Sequence, residues 1–88
     1  MDMSLSAEDF RRLLPGALGQ APRWRPDGAE GPLGSGRWRI TLAPLADHRL
    51  GSVALPMHRV VICLEGVAEA EAQAFLARFH RGFQRGGG

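Results

Sequence analysis

The chain has 88 residues, a formal net charge of +2 and one cysteine, Cys63. A chain this short forms a single domain that buries only about 60% of its unfolded surface, which leaves little space for an elaborate buried active site. One cysteine excludes an intramolecular disulfide, and no apolar run approaches the ~18 residues of a membrane-spanning helix. The N-terminus lacks the basic and apolar regions of a signal peptide, so we expect a cytoplasmic protein without membrane contacts.

The basic residues of the chain are all arginine, which is typical of a bacterial-like, high-arginine composition. Eleven arginines face nine acidic residues. This near balance does not indicate a strongly positive protein, so a nucleic-acid-binding function would need arginines clustered on one face.

An amphipathic helix is predicted close to the N-terminus, after a tail of residues 1–5. Ser6 is a good N-cap residue and Asp9 follows three positions later, as in a capping box. The apolar stripe of this helix comprises Phe10, Leu13 and Leu14. Pro15-Gly16 is predicted to end the helix, because proline cannot donate a backbone hydrogen bond.

Residues 19–36 are rich in glycine and proline and are predicted to form a loop. Within them, Arg23-Trp24-Arg25 lies between two prolines and is a candidate short edge strand, with Trp24 held against the body. We expect residues 27–36 to be mobile. Such a loop is either a binding element or a segment without function, and we favour the second.

Residues 37–65 carry strand patterning. Between Arg37 and Leu42 the residues alternate, with Trp38, Ile40 and Leu42 on one face and Arg37, Arg39 and Thr41 on the other. Pro44 is predicted to end this strand, and Leu45–His48 to form a turn.

A second stretch, residues 50–65, also has strand patterning but contains Pro56. Either a turn occupies Ala54–Met57, or one long strand bends at Pro56 on a sheet edge. We favour the turn, because a continuous strand of about fifteen residues is far longer than usual. The core-facing residues of the last strand are then Val60, Ile62 and Leu64.

After Gly66, apolar residues at helical spacing predict a second helix over Val67–Phe83, followed by a flexible tail of residues 84–88. The stripe comprises Ala68, Ala72, Phe75, Leu76, Phe79 and Phe83. The elements together predict an α+β fold in the order α-β-β-β-α, in a single domain over residues 6–83. Its antiparallel sheet has three to four strands, and both helices pack on one face.

No residue pattern indicates a catalytic, cofactor-binding or metal site. The three histidines and Cys63 lack the spacing of metal ligands, and Cys63 in mid-strand is typical of a small packed side chain. The glycine-rich segment Gly28–Gly36 has no P-loop lysine. We therefore expect a non-catalytic protein without a cofactor or metal.

Arginines form the candidate interaction surface. Arg37, Arg39 and Arg59 share the outward face of the sheet with Val61, while Arg78 and Arg81 lie on the second helix, away from its phenylalanines. An apolar centre with an arginine rim is typical of protein interfaces. We expect a protein-interaction or accessory domain whose partner is another protein or a second copy, as in a homodimer.

Nucleic-acid binding through the same arginines is the alternative. The order helix, strands, helix is similar to that of the double-stranded-RNA-binding domain, a family that needs a basic cluster at the start of its last helix. In this chain Val67–Glu71 occupies that place and contains two glutamates, which would repel phosphates. The outward sheet face also lacks aromatic residues for base stacking.

Overall fold

The computed structural model describes residues 1–87 of the chain, with side chains over residues 1–84. The fold is α+β, with a five-stranded antiparallel sheet in the order β1-β5-β4-β3-β2. The elements are β1 Asp2–Met3, α1 Ala7–Leu18, β2 Arg23–Arg25, β3 Gly28–Leu33, β4 Gly36–Leu50, β5 Val53–Glu65 and α2 Glu69–Gly87. Within this part of the chain, neither helix is long and apolar enough to cross a bilayer.

Helix α1 begins as the sequence predicts but ends later. The Asp9 backbone N–H donates to Ser6 Oγ at 3.0 Å, which confirms the cap. The helix continues through Pro15 to Leu18, so the predicted stop at Pro15-Gly16 is wrong. Proline costs the helix one backbone hydrogen bond, and the extra turn buries Leu18 and closes on Gly19, whose φ is +70°.

The Gly/Pro-rich segment forms a hairpin rather than the predicted loop. The candidate edge strand at Arg23–Arg25 is confirmed as β2, and most of the remainder is β3. Pro26-Asp27 joins β2 to β3, and Gly34-Ser35 joins β3 to β4. Gly31 lies opposite Trp38, where an added Cβ would lie 2.8 Å from the indole Nε1, so this glycine makes room for the largest core side chain.

Strands β4 and β5 form one long hairpin with a two-residue turn at Gly51-Ser52. The predicted strand end at Pro44 and the predicted turns at Leu45–His48 and Ala54–Met57 are therefore wrong, and β5 is one strand through Pro56. The pairing shifts register between Leu45 and His48, opposite Pro56. Pro56 has no backbone N–H to donate to the strand pairing at this position. The register shift accommodates the proline, so the hairpin continues past it.

Both predicted tails contain regular structure. Asp2–Met3 pairs with β5, and Val60 N–H donates to the Met1 carbonyl, so the sheet has five strands instead of the predicted three or four. Strand β1 lies at the edge of the sheet and pairs with β5 alone, where a strand of two residues is sufficient to complete the sheet. Helix α2 extends beyond the predicted end at residue 83 as far as Gly87, and Gly88 of the predicted tail lies outside the described residues.

The core lies between one face of the sheet and the two helices. Its buried apolar residues are Leu5, Phe10, Leu14, Leu18, Ala29, Leu33, Trp38, Ile40, Val60, Phe75, Phe79 and Phe83. Trp38 packs against Phe75 with ring centroids 5.6 Å apart. The other residues predicted for the core are partly exposed but pack against it, namely Leu13, Leu42, Ile62, Leu64 and Leu76.

Candidate interaction surface

The sheet face opposite the core, which we call the open face, has no helix packed on it within the described residues. Side chains of directly paired residues lie on the same face, and Arg39 pairs with Cys63 while Thr41 pairs with Val61. The structure thus places four of the predicted surface residues together, namely Arg37, Arg39, Arg59 and Val61. Val61 and Cys63 are both exposed there.

The arginines of the open face are paired with carboxylates. Arg59 Nε lies 3.0 Å from Asp2 Oδ1, and Arg37 Nη2 lies 3.4 Å from Glu65 Oε1. Arg39 Nη2 lies 3.7 Å from Glu30 Oε1. Glu30 is shared, since Arg25 Nη1 lies 2.8 Å from the same oxygen. With Arg23 and Arg25 of β2 included, five arginines and three acids lie on this face, so it carries both signs with an excess of positive charge.

The ion pair between Asp2 and Arg59 changes the pKa values of both side chains. The hydrogen bond from Arg59 lowers the pKa of the Asp2 carboxyl, and the same bond raises the pKa of the Arg59 guanidinium. Both side chains are about half exposed, at 48% and 58%. Because solvent screens such exposed pairs, this bond helps to hold β1 in register and contributes little to overall stability.

The remaining predicted residues, Arg78 and Arg81, lie elsewhere on the molecule. They line a groove between α1 and α2 together with Arg12. The helices cover the opposite side of the sheet, so these two arginines do not join the open face. The predicted surface is therefore two separate sites.

Beyond the body of the sheet, β4 and β5 continue as a projecting two-stranded hairpin. Pairing of β3 with β4 ends at Thr41, and pairing of β1 with β5 ends at His58. Residues 45–57, which we call the arm, include no buried residue. The arm accounts for the elongated shape of the molecule, which measures 47 × 25 × 20 Å.

One face of the arm is a mainly apolar strip, in which His48 lies opposite Leu55 and Arg59 lies between Met57 and Val61. Alternation along β5 places Val53, Leu55 and Met57 on the same side as Arg59, Val61 and Cys63. Their partners on β4 complete the strip, since Leu50 pairs with Val53 and Leu45 pairs with Met57. We define the apolar strip as Leu45, Leu50, Val53, Leu55, Met57 and Val61.

The strip depends on the register shift in β4. Two residues, Ala46 and Asp47, face the single residue Pro56, which is the arrangement of a β-bulge. With regular pairing, Arg49 would lie opposite Val53 and join the strip. The extra residue places Leu50 there instead and turns Arg49 to the opposite face with Ala54.

The strip is unusually exposed for its side-chain type. Leu50, Val53 and Val61 retain 58%, 53% and 46% of their accessible surface. None of the strip residues of the arm packs against the core, although Leu45, Leu55 and Met57 are only partly exposed. The strip therefore extends an apolar surface well past the edge of the domain's own core.

The chemistry-bearing side chains do not converge. Within residues 1–87, no three His, Cys, Asp or Glu residues are placed to hold a metal ion. His58 Nδ1 lies 2.6 Å from the Leu5 carbonyl oxygen, which gives this histidine a structural role between the N-terminal segment and β5. A small cavity of about 220 Å³ beside it is lined by residues of α1 and of the β2–β3 turn, together with Leu42 and Pro44.

The arm and most of its strip were not predicted from the sequence. The available signals were Gly51-Ser52, a common two-residue hairpin turn, and the alternating Val53, Leu55 and Met57 after it. Comparison with known proteins gives no assignment: no family model, curated protein or solved structure matches the chain.

Proposed function

We propose that this chain is a non-catalytic protein-association domain that forms a homodimer through its open face and arm. The observation that carries the proposal is the apolar strip, which runs from the arm onto the open face and lies outside the core. An isolated two-stranded hairpin is marginally stable in water. A projecting apolar hairpin gains stability when another surface covers it.

A second copy suits this surface because the surface carries charges of both signs. In a two-fold interface the same patch meets itself, so an arginine of one copy meets an acid of the other only if the patch contains both. The open face supplies five arginines and three acids around its apolar centre. A strongly basic partner would set the five arginines against like charges.

The size of the face also suits a dimer. Strand β5 has thirteen residues, which at ~3.3 Å per residue gives a length of roughly 43 Å. With β2 and β3 included, the flat area is roughly 600 Å², which approaches the ~800 Å² that each partner buries in a standard interface. A small domain with a limited core gains much from this additional burial.

We place the contact on the face of the arm and not on its edges. Both arm strands have unpaired edges, which in principle could add to another sheet. However, Pro44, Pro56 and the bulge at Ala46–Asp47 remove or misalign backbone hydrogen-bonding groups along them. Such features are typical of edges protected from pairing, so the apolar face is the better association surface.

Analytical ultracentrifugation from low micromolar to millimolar concentration tests the proposal. We expect a monomer–dimer equilibrium for the native chain, and Val53→Glu should weaken association at least ~10-fold because it places a charge in the strip. Ala54→Glu is the matched control, since the neighbouring exposed residue lies on the opposite face of the same strand. It should dimerise as the native chain does.

The native Cys63 provides an independent readout. It is exposed in the monomer and lies on the open face, so its reaction with a maleimide should slow as the protein concentration rises. A strict monomer at millimolar concentration, or equal loss of association in Val53→Glu and Ala54→Glu, would contradict the proposal.

The alternative function, nucleic-acid binding through the same arginines, is less favoured because Arg37, Arg39 and Arg59 are each paired with a carboxylate. It predicts binding to RNA or DNA that weakens steeply with salt. Dimerisation through an apolar strip should depend only weakly on salt. A gel-shift measurement at low ionic strength therefore distinguishes the two functions.

A further inference from the structure

A second site lies on the outer surface of the helix pair. Helices α1 and α2 enclose an open groove of about 370 Å³, lined by Arg12, Leu13, Gly16, Ala17, Arg78, Arg81 and Gly82. The helices approach closely at its floor, because a Cβ added to Gly82 would lie 2.3 Å from the Ala17 Cβ. This close approach lets arginines from both helices reach the same space.

The groove carries positive charge without carboxylates in its lining. Arg12 is paired with Asp9 at 3.1 Å, outside the lining. Over the part of the chain with described side chains, no carboxylate lies within ion-pair distance of Arg78 or Arg81. This differs from the open face, where three acids lie among the arginines.

Arg78 supplies a second observation. Its Nε is buried and has no hydrogen-bond acceptor in the described part of the chain. A buried donor without an acceptor is costly, and a charged donor more so. Arg81 lies one turn further along the same helix and stays exposed, so the two guanidinium groups are neighbours at the groove.

We propose that this groove binds a phosphate group, with Arg78 and Arg81 as the principal ligands and Arg12 as a third. The planar guanidinium presents paired N–H donors that match phosphate oxygens. A rotation of the partly exposed Arg78 side chain toward the groove would let its Nε–H donate to the bound anion. Three arginines offset by Asp9 leave about two positive charges, which suits a phosphate dianion. The site lies away from the open face and does not depend on dimerisation.

Titration with inorganic phosphate, followed by the arginine Nε–Hε resonances in NMR spectra, tests the site. Ionic strength is held constant with sodium chloride, so that diffuse screening does not change. We expect a saturable shift of the Arg78 Nε–Hε resonance. Arg78→Gln and Arg81→Gln should each weaken binding ~10-fold or more, since each removes a charge-assisted contact.

Two controls define the chemistry. Arg23→Gln removes an exposed arginine on the edge strand β2 and should leave the affinity unchanged. Arg78→Lys keeps the charge but removes Nε, and it should weaken binding ~10-fold because lysine cannot form the paired contact. Circular dichroism of each variant verifies the fold.

A parallel titration with phenyl phosphate identifies the source of the group. Tighter binding than inorganic phosphate indicates an esterified phosphate whose organic part rests on Leu13, and equal binding indicates free phosphate. Both results support the site. A shift that does not saturate, native affinity in Arg78→Lys, or equal weakening by Arg23→Gln would overturn it.

Discussion

The same two strands behave differently in the two halves of the molecule. In the body, β4 and β5 carry Trp38, Ile40 and Val60, which are buried beneath the helices. In the arm, the same strands contain Leu, Val and Met side chains, yet none of them is buried. Strand pairing therefore sets the length of this hairpin, whereas the helices determine how much of it has a core.

The two halves also differ in how their charges are arranged. In the body, five outward-facing arginines lie among three acids, whereas the outward strip of the arm is apolar apart from the polar His48. Surface ion pairs contribute little to stability, and exposed apolar surface costs free energy until it is covered. The body has its own buried core, and the arm is the part that would gain from the proposed second copy.

The largest expected difference is between a core residue and a strip residue. Phe79 is completely buried, so Phe79→Ala should lower the free energy of unfolding by ~3–5 kcal/mol. Leu55→Ala in the arm should cost the monomer no more than ~0.5 kcal/mol, because this side chain has no core contacts. Urea denaturation at low protein concentration measures both, and equal losses would show that the arm belongs to the cooperative core.

Shortening the hairpin separates the two halves directly. Removing residues 45–50 and 53–57 leaves Gly51-Ser52 to join Pro44 and His58, which are already paired. The body should fold with an unfolding free energy reduced by ~1 kcal/mol, since the hydrogen bond from Leu5 N–H to the Pro56 carbonyl is lost. Helical circular dichroism should be unchanged, whereas an unfolded product would contradict the independence of the body.

The smallest expected effect concerns acid at the base of the arm. The Asp2 pKa is lowered from its ordinary value of 3.8 by the hydrogen bond from Arg59. Because the folded pKa is lowered, this contribution is present above pH 3.8 and is lost as the pH falls through the folded value. Asp2→Asn should therefore destabilise the native chain at neutral pH, and the difference should vanish in acid.

The Arg59→Gln background is the control for this pH dependence. Without the guanidinium, Asp2→Asn should have the same effect at neutral and acidic pH, as measured by thermal unfolding. A pH-dependent difference that persists in Arg59→Gln would assign the titration to another partner.

The body of the fold could largely be predicted from the sequence, because its buried residues recur with the spacing of the strand or helix that carries them. Trp38, Ile40 and Val60 alternate as a half-buried strand must, and Phe75 and Phe79 follow the helical period. The N-cap at Ser6 could also be predicted from the sequence, since it depends on local hydrogen bonds alone. These features need no knowledge of the remaining chain.

The wrongly predicted ends of helix α1 and of strands β4 and β5 all arose at prolines. Pro15, Pro44 and Pro56 were all interpreted as stops, but each lies inside a regular element. A proline removes one hydrogen bond, and whether an element continues depends on what the following residues gain by tertiary packing or pairing. Leu18 gains burial, and β5 gains the long pairing with β4, neither of which is visible in local sequence.

The split of the predicted surface has a similar cause. Arg59 and Arg78 were assigned to one candidate surface because both avoid the apolar stripes of their own elements. Two helices on the same side of a sheet place such outward residues on opposite sides of the molecule. The open face and the groove can be recognised as different sites only when the helices are packed on the sheet.

The bulge at Ala46–Asp47 interrupts the edge of the arm, and a deletion there would not change which side chains the arm presents. Deleting Ala46 would leave one residue opposite Pro56 and would keep the pairs Leu45–Met57 and Leu50–Val53, so the strip would retain its side chains. The outer edge of β4 would lose its irregularity, and a regular edge accepts a foreign strand more readily. Losing this one residue would therefore raise the tendency to form fibre-like aggregates while the apolar face stayed the same.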